Sequence, residues 1–378
     1  MPAIPMPSGE IKALTSLRGV AAMMVVLQHF SATMERHSAV GIPSLVPHGY
    51  MAVDLFFVLS GFIMAYTYLA DFRARGRRAF PDFLLKRVAR IVPLNTAAVL
   101  LVLAAGAASQ MVLSRNIVYG SDDTAYDALF NLLMLQGIGI GRNLNAPSWS
   151  ISTEFAAYFL FPLMLALVFA KGRVWPALAG IGAVAVWVLI ALAHPRLGFD
   201  TATITGGLAR CFAGFLLGLV TYHAVMHPAV RRAMAPDSVA GAIIVLWLGL
   251  LVARFDLLIA FIFPFLIAAL ACNRGRVARL MAHPFLYFLG VISFSIYLLH
   301  SPLRPVWLEA IRILHPAPLS GPAALLLALA GSIAILPVAW AGYVLVEHPG
   351  RGLIRALTSR LPGRRGAMKA AVSAPPKG

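Results

Sequence analysis

Apolar runs of close to twenty residues recur along this chain, separated by short polar or basic connections. They fall near residues 13–32, 50–70, 89–108, 153–170 and 174–193, and then near 205–223, 238–253, 256–272, 284–302 and 322–346. A helix crosses a hydrocarbon layer about 30 Å thick with roughly 20 apolar residues, so each run has about the length of a span. Several are short, and 238–272 can be divided in more than one way. The pattern predicts an all-α polytopic membrane protein with about ten transmembrane helices. A further apolar piece, DALFNLLMLQGIGI at 127–140, is the ambiguous one.

Charge resolves that ambiguity. If 127–140 does not span and the N-terminus is cytoplasmic, the arginine clusters around 72–90, 171–173, 231–232, 274–279 and beyond 351 all fall inside, as the positive-inside rule requires. Counting the piece as a span places the later clusters outside. The expected topology therefore has both termini cytoplasmic, with 127–150 as an outer-side or re-entrant element. Rich in Gly and Asn and bounded by Pro147, that element suits the lining of a cavity, where irregular backbone at membrane depth is tolerated. The organisation expected is a cytoplasmic tail at 1–12, one transmembrane domain at 13–349 and a basic cytoplasmic tail at 350–378, in a multi-pass protein of the plasma membrane.

Composition agrees. With 378 residues, 60% of them hydrophobic and 12% charged, the chain is no soluble enzyme. Its net charge of +17 sits in short clusters between apolar runs, which is a topology signal and not a nucleic-acid surface. No small-residue cleavage site follows the first run, so that run reads as a retained span. Cys211 and Cys272 have no metal-type spacing, and the histidines do not form a ligand set, so no metal site is expected.

Ionisable residues inside spans are costly placements and point to function. Arg18 and His29 lie in the first run, and eleven helical positions bring them to nearly the same face, about 16 Å apart along the axis. On the expected topology Arg18, Lys86, Arg87, Arg90 and Glu347 sit toward the inner boundary, while His29, Asp54, Glu154, Arg210 and His300 sit toward the outer half. His29 is the leading general base, since a neutral imidazole can take a proton from a hydroxyl and a carboxylate beside it would fix its tautomer. Glu154 suits that partnership, or a hydrogen bond to a sugar hydroxyl. Ile151, three residues earlier, rules out a capping box for it. Asp54 is either an orienting acid or an interfacial carboxylate. Ser60 and Gly61 read as a close helix contact.

The remaining candidates are positional. Ser293, Tyr297 and His300 share a helix face through spacings of four and three. His300 suits substrate positioning, with helix capping as the competing role. Trp149 is an interfacial anchor or an aromatic floor for a sugar ring, with Ser150 beside it. Arg87 and Arg90, one turn apart and joined by Lys86 and Arg18, form a dock for an anionic cofactor, although positive-inside flanks look similar.

These residues fall in an order that resembles the membrane-bound acyltransferase 3 family, and in particular its exopolysaccharide O-acetyltransferase branch. The resembling elements are Arg18 and His29 with ten residues between them, FFVLSGFIM at 56–64, RVAR at 87–90, WSISTE at 149–154, SFSIYLLHSPL at 293–303 and VEHP at 346–349. The resemblance covers residues 10–350. It implies a ten-helix domain that moves an acyl group, usually acetyl from acetyl-CoA, to a hydroxyl of a surface glycan or glycolipid in the membrane, with Arg18, His29, Arg87, Arg90 and Glu154 as functional positions. Many relatives carry two consecutive acids where this chain has Glu154 followed by Phe155. Some carry an appended extracytoplasmic hydrolase-like domain, for which the tail here is too short. The rival class is a transporter or flippase for a sugar or lipid-linked sugar, with Arg18, His29 and Glu154 as a relay, against which stands the lack of a paired repeat.

Overall fold

Each of the ten apolar runs carries a helix in the computed structural model, which describes residues 9–46, 48–120, 124–193, 206–253 and 255–359. Most of the expected basic tail and residues 1–8 of the N-terminal tail lie outside the described residues. The helices are α1 (Lys12–Glu35), α2 (Ala52–Arg75), α3 (Phe80–Leu113), α4 (Thr124–Leu132), α5 (Ser148–Val168), α6 (Val174–Ala193), α7 (Gly207–Val225) and α8 (Pro228–Met234). There follow α9 (Asp237–Ala253), α10 (Asp256–Cys272), α11 (Arg276–Met281), α12 (Pro284–Val291), α13 (Ser293–Leu314), α14 (Gly321–Gly342) and α15 (His348–Ser359). Among the described residues there is no strand, only an isolated bridge between Ser38 and Leu319.

By length and apolarity six segments among the described residues can cross a membrane, or up to eight when the bent pairs α8–α9 and α12–α13 each count as one span. The difference from ten has two sources. The run Gly49–Leu113 counts once although it holds both α2 and α3, and α10 has only 17 residues. Were α2 and α3 one straight rod, Tyr68 and Arg87 would stand about 28 Å apart. Instead the Arg87 guanidinium donates to Tyr68 Oη at 2.8 Å, so the chain turns back at Gly76–Ala79.

The segment 127–140 forms no membrane-length helix. The nine residues of α4 span about 14 Å, and the chain then runs irregularly to Pro147. Its backbone is satisfied by buried side chains, as low-dielectric surroundings demand. Asn131 Nδ2 donates to the carbonyls of Asp127 and Arg142, each at 2.7 Å, and its Oδ1 accepts from Leu144 N. Ser152 Oγ donates to Met134 O at 2.5 Å and accepts from Gly137 N.

Polarity is distributed as a bilayer requires. Leu163, Ile181, Val245, Val252 and Leu326 are exposed on helix faces, whereas Asp54, Arg210, His300 and Glu347 are buried among the helices. Two close crossings set the bundle. A Cβ on Gly61 of α2 would fall on the carbonyl of Phe215 in α7, and one on Gly218 would fall on that of Val58. On the other side, Gly19 of α1 lies against the backbone of Gly290, which brings α12, and hence the start of α13, onto α1. Gly61→Val therefore forces backbone from backbone. It is expected to destabilise the bundle by about 1–3 kcal/mol or more, read as a lower temperature for loss of the monodisperse peak in detergent. A variant as heat-resistant as the parent would contradict this packing.

A π-turn at Tyr343–Glu347 joins α14 to α15. It turns Glu347 inward, and α15, which covers the beginning of the expected tail, packs back against α3.

Candidate active site

The side chain paired with His29 is His300. The helices α1 and α13 pack side by side, and His29 Nδ1 lies 2.9 Å from His300 Nε2. The far nitrogen of His300, Nδ1, is 3.2 Å from the Ile296 carbonyl. A carbonyl only accepts, so Nδ1 of His300 carries its proton and Nε2 presents a lone pair. His29 must then donate from Nδ1, which leaves its own Nε2 as an open acceptor. The pair fixes the tautomer a general base needs, a task expected of Glu154 or Asp54.

Proline and asparagine hold α13 in place for this. Pro302 has no N–H, so the Leu298 carbonyl one turn earlier lacks its helical donor. Asn145 Nδ2 supplies it at 3.0 Å, tying the irregular segment before α5 to α13 beside the histidine.

Below the pair lies a cavity of about 240 Å³. Arg18, Arg87 and Arg90 line it, with Glu154, Ser150, Ser293 and Tyr297. Helices α1, α2, α3, α5 and α13 thus contribute residues from five separate stretches of sequence. Glu154 Oε1 accepts from Tyr158 Oη at 2.6 Å and from Ser60 Oγ, leaving Oε2 without a partner among the described residues. Ser150 Oγ donates to Pro147 O, so the 2.7 Å contact with Tyr297 Oη is donated by the tyrosine. Arg90 is balanced by Glu347, 4.0 Å away, which also receives Ser295 Oγ and Arg351. Among the described residues Arg18 and Arg87 have no carboxylate partner, and the Nε atom of each is buried without a hydrogen bond. Open donors on buried guanidinium groups fit an anionic ligand. A second cavity of about 500 Å³, lined by Glu10 and Tyr66, shares Arg18, Ile63 and Thr67 with the first.

Three candidates lie elsewhere. Both carboxylate oxygens of Asp54 are taken by Arg210, at 3.1 and 2.6 Å, in a pair that is almost wholly buried. The orienting role expected of Asp54 toward His29 is therefore not what the structure displays, because α7 supplies a cation at closer range. Trp149 packs edge-on to Phe57 and lies 5.6 Å from the Arg210 guanidinium, holding that ion pair and not lining the cavity. Lys86 is exposed and reaches over the Tyr68 ring. Sequence reasoning missed Tyr158, although it stands four residues after Glu154. It also missed Asn145 and Arg304, and it took Ser60 as a packing residue.

Along α13, Ser293 and Tyr297 line the arginine cavity, while Ser301 and Arg304 line another, of about 470 Å³. Along α1, Arg18 belongs to the first and Thr33 and Arg36 to the other. His29 and His300 stand between them on both helices. Neither histidine is among the residues lining either cavity, but Tyr297 and Arg304, one turn to each side of His300, are.

Residues 11–343 match the family described as an acyltransferase domain, acyltransferase 3. The chain belongs to this family. Acyltransferase MdmB of Streptomyces mycarofaciens is 31% identical over 186 residues, 47% of this chain and 46% of its own length. Peptidoglycan O-acetyltransferase OatA of Listeria monocytogenes is 23% identical over 334 residues, 81% of this chain and 51% of its own length. The chain spans about half the length of these curated relatives. The family resemblance drawn from the order of motifs is borne out, and all six of those motifs begin inside this acyltransferase domain or just after its end.

Proposed function

We propose that this chain is an integral O-acyltransferase that moves an acyl group, acetyl from acetyl-CoA, to a hydroxyl of a surface or exported glycan. The observation that carries the reading is the position of the His29–His300 pair between an arginine-lined cavity and a second, separate one. The reading also rests on family membership and on relatives named for acyl and O-acetyl transfer. The plasma membrane as location, cytoplasmic termini and an exopolysaccharide acceptor are part of the proposal.

In this mechanism Arg18 and Arg87, with Arg90, hold the phosphates of acyl-CoA at the basic end. The thioester arm extends through the cavity past Glu154, whose free Oε2 accepts an N–H or O–H from the ligand. His29 Nε2 removes the proton of the sugar hydroxyl, and the oxygen attacks the thioester carbonyl. Collapse of the tetrahedral intermediate breaks the C–S bond, and the imidazolium returns its proton to the departing thiolate. His300 keeps the donor side of His29 occupied throughout. Direct transfer of this kind uses no protein nucleophile.

Purified protein with radiolabelled acetyl-CoA and membrane glycan tests the reading. The wild type is expected to label the glycan. Arg18→Gln and Arg87→Gln are each expected to raise the KM for acetyl-CoA about tenfold or more, from loss of a charge-assisted contact. Unchanged donor KM in both variants would sink the donor assignment. A wild type that carries saccharide across vesicles and transfers no label would place the chain among carriers.

A further inference from the structure

The cavity of about 470 Å³ beside the histidine pair is walled by arginine. Arg36 from the end of α1, Arg304 and Arg312 from α13, and Arg115 after α3 line it, against one lining carboxylate, Glu309. That carboxylate is already engaged. Its Oε1 accepts from Arg115 at 2.6 Å, and its Oε2 lies 3.9 Å from Arg312. Arg36 and Arg304 have no carboxylate partner among the described residues, and Arg304 Nε is buried with no hydrogen bond at all. The Arg304 guanidinium donates a long hydrogen bond, 3.5 Å, to Ser301 Oγ.

A buried cation with an open donor is a standing cost to the fold unless a ligand fills it. A neutral saccharide would leave it open. Tyr119 and Asn143 supply the neutral surface and hydrogen-bonding groups that suit a sugar ring in the same cavity. Position supplies the rest of the argument. Arg304 follows His300 by one helical turn, about 6 Å along the axis, and Thr33 follows His29 by the same step. An anion held at Arg304 thus lies about one helical turn from His300, the partner of the base.

We propose that this cavity is the acceptor subsite and that it selects saccharides bearing an anionic group, a carboxylate or a phosphate, held by Arg304 and Arg36. The proposal rests on the O-acyltransferase reading and narrows its acceptor.

The full chain in nanodiscs should be tested by calorimetry without donor against three probes: an oligogalacturonate, a phosphorylated maltooligosaccharide and neutral maltotetraose. At least one anionic probe is expected to bind about tenfold or more tightly than the neutral one, with affinity falling as salt rises. Arg304→Gln should remove that preference, Arg304→Lys should restore part of it, and Arg36→Gln, at an exposed position, should weaken it with the fold undisturbed. In transfer assays the acceptor KM should rise in both Gln variants while the KM for acetyl-CoA stays put. Preference for the galacturonate alone assigns a carboxylate acceptor, and preference for the phosphorylated probe alone assigns a phosphate-bearing one. Equal binding of the neutral probe, or wild-type selectivity in both Gln variants, overturns the proposal. Anionic binding without acetyl transfer to any acceptor removes the acyltransferase reading and leaves the cavity's selectivity standing. Transfer that ignores acceptor charge does the reverse.

Discussion

His29→Ala is expected to lower acetyl transfer about 10²- to 10⁴-fold, the usual contribution of a positioned general base. The loss should appear in kcat, with the KM for acetyl-CoA unmoved, since Arg18 lies about 16 Å away along α1. His300→Ala should cost less, because it removes the group that orients His29 and not the group that takes the proton. His300→Gln, whose amide oxygen still accepts from His29 Nδ1, should recover part of that loss. Label transfer from radioactive acetyl-CoA measures all three. A His29→Ala enzyme within a few fold of the wild type would falsify the assignment of the base.

The second large effect is on stability. Asp54 and Arg210 are joined by two hydrogen bonds inside the bundle, at 0% and 2% exposure. Removing one partner leaves the other charge buried in the bundle without this pairing, at about 3–5 kcal/mol. Asp54→Leu and Arg210→Met should each give a protein that aggregates at much lower temperature, followed by size-exclusion after heating. The double variant should recover most of the loss, because two apolar side chains of similar volume replace a pair whose attraction only offsets its desolvation. Single variants as stable as the parent would rule out the pair as a structural clasp.

The parts of the site that were legible in the sequence are those set by helical periodicity. Arg18 and His29 on one face of α1, and Ser293, Tyr297 and His300 on one face of α13, follow from spacing alone. The apolar runs marked the helices, and arginine placement argued against a span at 127–140, where the structure has only a nine-residue helix. What spacing cannot reach is which helices lie together. His29 and His300 are 271 positions apart, and their pairing depends on the Gly19–Gly290 approach that seats α12 and α13 on α1. Asp54 and Glu154 were both candidates to orient His29, since both are carboxylates placed in the same half of the membrane. Packing of α7 against α2 committed Asp54 to Arg210, and Ser60 of α2 with Tyr158 of α5 committed one oxygen of Glu154. Asn145 was hidden for a different reason. Its role answers a missing N–H at Pro302, a vacancy on another helix that no local pattern advertises.

The placement of the histidines between two cavities bears on how the membrane stays sealed. A carrier must open by turns to each side. In the proposed arrangement a donor held at the arginine end and an acceptor held at the other need touch only at one imidazole. On the proposed mechanism a two-carbon unit makes the crossing while coenzyme and saccharide each stay where they entered. The bilayer's permeability barrier and the reaction centre are then the same few side chains, and turnover calls for no state that is open to ions.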